Sequence, residues 1–261
     1  MMAAWIICYC FAFFLIFNRY STTAQKHVYN STTTQLEPRT SYPTANLSTT
    51  WNNTVTDLSV YYSGDIKILP ILFRDTAIFE ASFACGFYCN GACTSYLFAV
   101  FIIPTTELDG SMNISPPQVV WSANRDYPVS HGAILNFTAT GDLVLRDVDG
   151  STVWTTNTTG KSVVGMNLTD AGNLVLFDVN GFVVWQSFDY PTDTLVPGQR
   201  LFEGQQLIPS ISSTNWTAQK DLYSLRVTEQ GLFVCAGSNP SQVYYETIIF
   251  NYYLNKERRY C

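Results

Sequence analysis

Charge is scarce in this chain. Only 13% of its 261 residues are Asp, Glu, Lys or Arg, and Lys plus Arg number 14 against 20 acidic residues, for a formal net charge of −6. Without a basic cluster there is no electrostatic footprint for a nucleic-acid backbone, so nucleic acid is excluded as a partner. Histidine is scarcer still: His27 and His131 are too few for most zinc sites or for His-based catalysis. The chain has no G-x-S-x-G elbow, no H-E-x-x-H helix and no credible Cys/His pair, since Cys235 sits in LFVCAG with neither histidine near it. Asp147-x-Asp149-Gly150 opens like a calcium loop, but Thr152 and Thr158 stand where that loop needs Gly and Glu. These absences point to a protein that is not an enzyme and that needs no metal or cofactor. Its Asp residues read as turn formers.

Sustained i, i+3, i+4, i+7 patterning is also missing, and with it any sign of long amphipathic helices. What is present is apolar and aromatic: 47% hydrophobic residues and 15% aromatic, with 16 Tyr, 17 Phe and 6 Trp, too much for a disordered chain. From Ser59 onward short apolar runs alternate with turn residues. They include IKILPILF (66–73), YLFAVFII (96–103), QVVW (118–121), LVL (143–145) and VVW (183–185), a pattern of many short strands. YLFAVFII stops at Pro104, and its length suits a buried strand.

No apolar run reaches the roughly 20 residues of a membrane-spanning helix. Ala3–Phe17 is a run of fifteen, followed by polar residues and by Thr22-Thr23-Ala24 with small side chains. Residues 1–24 therefore read as a secretory signal, or as a signal anchor if left uncleaved. Eight Asn-x-Ser/Thr sequons agree with an extracellular or cell-surface glycoprotein: Asn30, Asn46, Asn52, Asn113, Asn136, Asn157, Asn167 and Asn215. From Asn30 to Ser59, 13 of 30 residues are Ser or Thr, so residues 25–58 are expected to form an extended, glycosylated arm with little order. Cys8 and Cys10 leave with the signal. Cys85, Cys89, Cys93, Cys235 and Cys261 remain as disulfide candidates, and the first three are expected to contribute a local bridge. Five is odd, which points to a thiol whose partner lies elsewhere.

The most informative feature is a repeat. Gly141-Asp142-Leu143-Val144-Leu145-Arg146-Asp147-Val148-Asp149-Gly150, ending at Trp154, matches Gly172-Asn173-Leu174-Val175-Leu176-Phe177-Asp178-Val179-Asn180-Gly181, ending at Trp185, at a constant offset of 31. Asp149-Gly150 and Asn180-Gly181 signal tight hairpins in which both central residues take positive φ. Trp121, 33 residues before Trp154, closes a less regular third copy. A hairpin unit cannot bury its apolar face alone, so three copies are expected to stack with Trp121, Trp154 and Trp185 meeting at the centre.

Trp121-Ser122-Ala123-Asn124-Arg125-Asp126 with Pro128, the GNLVL-type repeats and WQSFDYPTDTLVPGQ (185–199) resemble the bulb-type lectin domain of plant S-locus glycoproteins and G-type lectin S-receptor-like kinases. Cys85-Gly86-Phe87-Tyr88-Cys89-Asn90-Gly91 and Ser95-Tyr96-Leu97-Phe98 are similar to one subgroup of those kinases. The resemblance implies an all-β fold, a β-prism II with pseudo-threefold symmetry over residues 59–190, and a partial second lectin-like β module over 191–261. Mannose-binding members of the family carry Gln-x-Asp-x-Asn-x-Val-x-Tyr along one strand face. Here the equivalent residues are Thr169, Ala171, Asn173, Val175 and Phe177 in one copy, and Thr138, Thr140, Asp142, Val144 and Arg146 in the other. Only Asn173, Val175 and Val144 keep the pattern, so these sugar sites are degenerate.

Asn136 and Asn167 are also 31 apart, and on regular strands their glycans would crowd those same faces. Asn124-Arg125-Asp126 reads as a structural corner, with Arg125 placed to hold Asp126 or a neighbouring carboxylate. No G-x-G-x-x-G loop with a catalytic Lys/Asp set is present, so this chain is expected to lack kinase activity. The expected role is extracellular recognition, with a glycan or a cell-surface receptor-like kinase as partner and a dimer possible through the lectin domain. The alternatives are a genuine mannose-type lectin, a structural apoplastic glycoprotein, or the N-terminal part of a receptor kinase continuing beyond Cys261. A β module that stops partway leaves an open edge, which favours dimerisation.

Overall fold

A computed structural model describes residues 41–54, 60–62, 65–76, 81–108, 111–114, 116–220, 222–237 and 242–248. The signal segment, Asn30, His27 and Cys261 lie outside the described residues, as do most of the proposed arm and the tail. The described chain is β throughout, with one short 3-10 turn at Ser187–Asp189 and no α-helix among the described residues.

In chain order the strands begin with β1 (Thr44–Asn46), β2 (Thr49–Asn52), β3 (Val60–Tyr62), β4 (Ile66–Arg74), β5 (Ala81–Asn90) and β6 (Ser95–Leu108). There follow β7 (Ser111–Ile114), β8 (Gln118–Ser122), β9 (Val129–Ser130), β10 (Ile134–Phe137), β11 (Leu143–Arg146) and β12 (Thr152–Thr155). The series closes with β13 (Val163–Leu168), β14 (Leu174–Asp178), β15 (Val183–Gln186), β16 (Gln206–Leu207), β17 (Tyr223–Thr228), β18 (Gly231–Ala236) and β19 (Gln242–Ile248).

Three sheets make the prism. Two are four-stranded, ordered β2-β10-β11-β12 and β1-β13-β14-β15, and one repeat copy occupies each. The third is larger. Its path runs β3-β4-β5-β6-β7, and β8, which ends the third copy, pairs with β6. A separate four-stranded sheet, β16-β17-β18-β19, follows.

Residues 44–52 correct the expectation of an arm. β1 pairs with β13 and β2 with β10, so this stretch supplies the outer strand of two prism sheets. The physical reason is that β10 and β13 would otherwise present open edges, and an extended run rich in β-branched Thr completes their ladders. The lectin fold therefore draws on chain before residue 59.

The hairpins differ from the expected type. In the first copy Gly150 N–H donates to Asp147 O at 2.9 Å and Asp147 N–H to Ser151 O at 2.9 Å. In the second, Gly181 N–H donates to Asp178 O at 2.9 Å and Asp178 N–H to Phe182 O at 3.0 Å. Gly150 and Gly181 take φ of 84° and 81°, whereas Asp149 and Asn180 are not in the left-handed region. Only the glycine needs positive φ because each loop has three residues, a turn followed by one left-handed residue; the returning strands bulge further on, at Val153 and Val184.

The tryptophans meet as the repeat requires. Ring centroids are 5.9 Å apart for Trp121–Trp154, 5.8 Å for Trp121–Trp185 and 5.7 Å for Trp154–Trp185, with interplanar angles of 68°, 69° and 73°. Each indole presents an edge to the next one's face, the arrangement the ring quadrupole favours. In register each faces the aliphatic residue of its own sheet, Val100, Leu145 or Leu176. Phe98 closes on Trp121 edge-on at 6.2 Å.

The large sheet is apolar on both faces, which is why IKILPILF and YLFAVFII read as continuous runs. Phe83, Cys85, Phe87, Phe98 and Val100 face the tryptophan core. Ile68, Ala84, Tyr88, Leu97, Ala99 and Phe101 form a second cluster with Trp216, whose ring meets Tyr88 edge-on at 6.0 Å. Pro70 is tolerated in β4 because the pairing with β5 bulges between Pro70 and Leu72.

A disulfide joins Cys89 and Cys93, and Cys235 is also disulfide-bonded. Cys85 is free, fully buried, and its thiol is pushed well up by desolvation. The thiol expected to await a partner is thus sealed in the core, unionised and inert.

Truncating one member of the tryptophan trio opens a large cavity. Trp185→Ala is expected to lower unfolding free energy by ~3–5 kcal/mol, read by urea denaturation, against less than ~1 kcal/mol for exposed Tyr127→Ala.

Candidate functional site

The positions that would hold a sugar lie on the outer faces of β10–β11 and β13–β14. Asn136 is directly opposite Val144, and Asn167 directly opposite Val175. The two sequon side chains therefore share a face with the valines of the degenerate pattern, as the alternation of the strands demands. Arg74 adds to the second face: its guanidinium donates to Asn167 Oδ1 at 3.0 Å and to Leu168 O at 2.9 Å, and pairs with Asp170 at 3.3 Å. A glycan on Asn167 would attach through Nδ2 and leave that Oδ1 contact intact.

Asn173 is engaged within the fold. Its Nδ2 donates to Gln186 Oε1 at 2.8 Å, and its Oδ1 accepts from Ser187 Oγ at 3.1 Å and Phe188 N–H at 3.2 Å. Asp142 holds the equivalent place and behaves alike. It accepts from Thr155 Oγ1 at 2.8 Å, Thr156 Oγ1 at 2.7 Å and Thr158 N–H at 3.2 Å. The neighbouring hydroxyls repeat the correspondence: Leu143 N–H donates to Thr156 Oγ1 and Leu174 N–H to Ser187 Oγ, both at 3.0 Å. Both residues thus tie the start of a strand to the chain just past its tryptophan.

The third copy solves the same problem differently. Phe98 N–H, in register with Leu143 and Leu174, donates to Asn124 Oδ1 at 2.9 Å. The position equivalent to Asp142 and Asn173 is Leu97, fully buried in the second apolar cluster. No polar sugar contact is available from that position.

The Asn124-Arg125-Asp126 corner acts as a clamp. Asn124 Nδ2 donates to Tyr96 O and Tyr127 O, both at 3.2 Å. Arg125 donates to Ile208 O at 2.8 Å and pairs with Asp193 at 3.8 Å, while Asp126 accepts from Ala218 N–H at 2.8 Å. Arg125 holds Asp193 rather than Asp126, so the corner fastens segment 193–218 to the prism. Sequence reasoning missed Trp216 and this fastening, because the partners are 68 or more positions apart.

Two clefts remain on this surface. One of about 320 Å³ is lined by Thr169, Ala171, Asn173, Gln186, Arg200 and Phe202, and so lies over the degenerate site of the second copy. The other, about 360 Å³, is lined by the three tryptophans with Tyr127, Asn157 and Tyr190. Among the described residues no group of three or more His, Cys, Asp or Glu could hold a metal ion, and His131 lies beside Tyr96 at 6.2 Å between ring centroids. Phe177 and Arg146, which stand where the family has Tyr, cannot donate a phenolic hydrogen bond.

Burial alone would raise the Asp142 carboxyl, but hydrogen bonds from Thr156, Thr155 and both the backbone and side chain of Thr158 outweigh it and hold it below its ordinary value of 3.8. A depressed carboxyl stabilises the fold above its unfolded pKa, and that contribution is lost as pH falls through the folded pKa. Asp142→Asn, which installs the residue of the second copy, is expected to flatten the acid limb of the stability-versus-pH curve below about pH 4. Asp142→Ala removes the acceptor of the Thr155 and Thr156 hydroxyls and of Thr158 N–H and should cost ~2–3 kcal/mol at pH 7. Urea titrations at pH 7 and pH 3 check both.

The same stretch of chain is similar to known proteins. A family model described as D-mannose binding lectin matches residues 118–217. The chain is 49% identical over 135 residues to EP1-like glycoprotein 4 of Arabidopsis thaliana, covering 50% of this chain and 30% of that protein. It is 59% identical over 85 residues to the epidermis-specific secreted glycoprotein EP1 of Daucus carota, covering 33% and 22%. It is also 37% identical over 131 residues to the G-type lectin S-receptor-like serine/threonine-protein kinase SD2-5 of Arabidopsis thaliana, covering 50% and 15%. The matches thus span less than a third of each of these relatives. Among solved structures, a monomeric mannose-binding lectin from Gastrodia elata aligns with a TM-score of 0.30 and 14% identity, over 56% of this chain and 96% of that one. Residues 118–217 form a bulb-type lectin domain of the S-locus glycoprotein type, and the chain is related to EP1-like glycoproteins and to receptor-kinase ectodomains.

Proposed function

We propose that this bulb-type lectin domain serves as a non-catalytic extracellular recognition module whose mannose sites no longer bind, and that it engages a cell-surface partner through its outer surface. The observation that carries the reading is the fate of Asp142 and Asn173. Their polar atoms are engaged by Thr155, Thr156 and Thr158, and by Gln186, Ser187 and Phe188. A sugar hydroxyl would have to displace those bonds, and Thr169 and Ala171 supply no compensating amide or carboxylate. Losing contacts worth ~1–3 kcal/mol each leaves nothing of a millimolar site that starts near −4 kcal/mol. The glycans expected on Asn136 and Asn167 would cover the same faces, and a receptor-like kinase related to SD2-5 is the kind of partner the kinship favours.

The alternative, a working mannose lectin, is favoured by Asn173 and Val175 keeping two of the five family positions beside an open cleft. Titration calorimetry with methyl mannoside and mannobiose, run on the glycosylated secreted protein and on the enzymatically deglycosylated protein, separates the two. No saturable binding up to ~10 mM is expected in either state, a limit set by the energy balance above. Binding only after deglycosylation would show intact sites under a glycan shield, and binding in both states would establish the lectin; either outcome overturns the proposal.

A further inference from the structure

The cleft at the end of the prism axis has a different character from the sugar faces. Its lining brings together Trp121, Trp154 and Trp185 with Tyr127, Asn157 and Tyr190. Trp121 and Trp185 are almost wholly buried, whereas Trp154 is half-buried. Tyr190 lies flat against Trp185, with centroids 5.6 Å apart and an interplanar angle of 17°, and its carbonyl accepts the Trp121 indole N–H at 3.0 Å. The indole N–H groups of Trp154 and Trp185 have no acceptor among the described residues. An aromatic floor with indole donors left over is suited to a pyranose, whose C–H face packs on π-surfaces and whose oxygens accept hydrogen bonds. About 360 Å³ falls within the size range of ligand clefts.

Asn157, on the rim of this cleft, is the asparagine of the sequon Asn157-Thr158-Thr159. It is exposed, and its carboxamide has no hydrogen-bond partner among the described residues. Its backbone is held in the left-handed region at φ 54°, with N–H donating to Thr155 Oγ1 at 3.2 Å, so its Cβ direction is fixed by the turn rather than by a helix or sheet. Trp154 lies only three residues earlier, at the end of β12.

We propose that the N-linked glycan of Asn157 folds back on its own chain, so that its first N-acetylglucosamine seats in the axial cleft and caps the tryptophan trio. The modification is then a structural part of the prism and not a solubilising tag. Asn136 and Asn167 differ in kind, since they stand on the outer faces of their sheets. The inference rests on the extracellular reading above, because sequons are used only on the secretory route.

The test uses the full chain secreted from a plant host, with glycans trimmed enzymatically to a single N-acetylglucosamine on each occupied Asn. Glycopeptide mass spectrometry reports occupancy, and proton NMR reports the acetyl methyl signals. One methyl is expected well upfield of the others through the indole ring currents. It should vanish in Thr159→Ala, persist in Thr159→Ser, which keeps the sequon, and persist in Thr217→Ala, which removes the Asn215 sequon. Thr159 is exposed and makes no hydrogen bond among the described residues, so its replacement spares the fold, and the melting midpoint of Thr159→Ala should drop by about 2–4 °C through loss of the cap. An occupied Asn157 with no shifted methyl, or a shift that survives Thr159→Ala, overturns the proposal. Asn157 empty while other sequons are filled overturns it alone, and no sequon filled overturns the extracellular reading with it.

Discussion

The edge-to-face contact of three indole rings is the constraint on which the rest of this structure depends. A hairpin of four-residue strands is not stable alone, because it has one apolar face and nothing to set against it. Placing a tryptophan at the end of each copy gives every hairpin the same large partner surface. The three rings then meet at 5.7–5.9 Å with angles near 70°, an arrangement only three equivalent sheets can make. Pseudo-threefold symmetry follows from that packing and from the constant offset of 31 between two of the copies.

The same packing explains the polar joints beside the tryptophans. Beside each tryptophan the chain must leave its strand, and a backbone N–H on the neighbouring strand is left facing the exit. Thr156, Ser187 and Asn124 each accept that N–H, and the first two are in turn held by Asp142 and Asn173. Asp142 and Asn173 each contribute to the fold through these bonds. In the third copy the site face has become the floor of a second core, with Leu97, Ala99 and Phe101 under Trp216.

Much of this architecture was legible in the residues. The 31-residue repeat and its three tryptophans announced three stacked units, and the apolar run of β6 announced a buried strand. Residues 44–52 were not legible, because Thr-rich composition reads alike whether a segment is loose or lies in a ladder whose other strand is more than 80 positions away. The three-residue hairpin loops were misread as two-residue ones, since Asp-Gly and Asn-Gly serve both and only the register decides. The partners of Asn173 escaped because an amide aimed at a sugar and an amide aimed at Ser187 are the same letter. The recurrence of a hydroxyl fourteen positions after it, Thr156 after Asp142 and Ser187 after Asn173, was the signal that could have revealed the joint.

A double-mutant cycle on Trp154 and Trp185 probes the trio most directly, using Phe at one or both positions so that the core stays filled. Rings in edge-to-face contact should couple by ~0.5–1.5 kcal/mol, so that the double variant loses less stability than the two single losses combined. Strict additivity, within ~0.3 kcal/mol, would mean that the indoles do not sense one another, and the prism would have to be held together by something else.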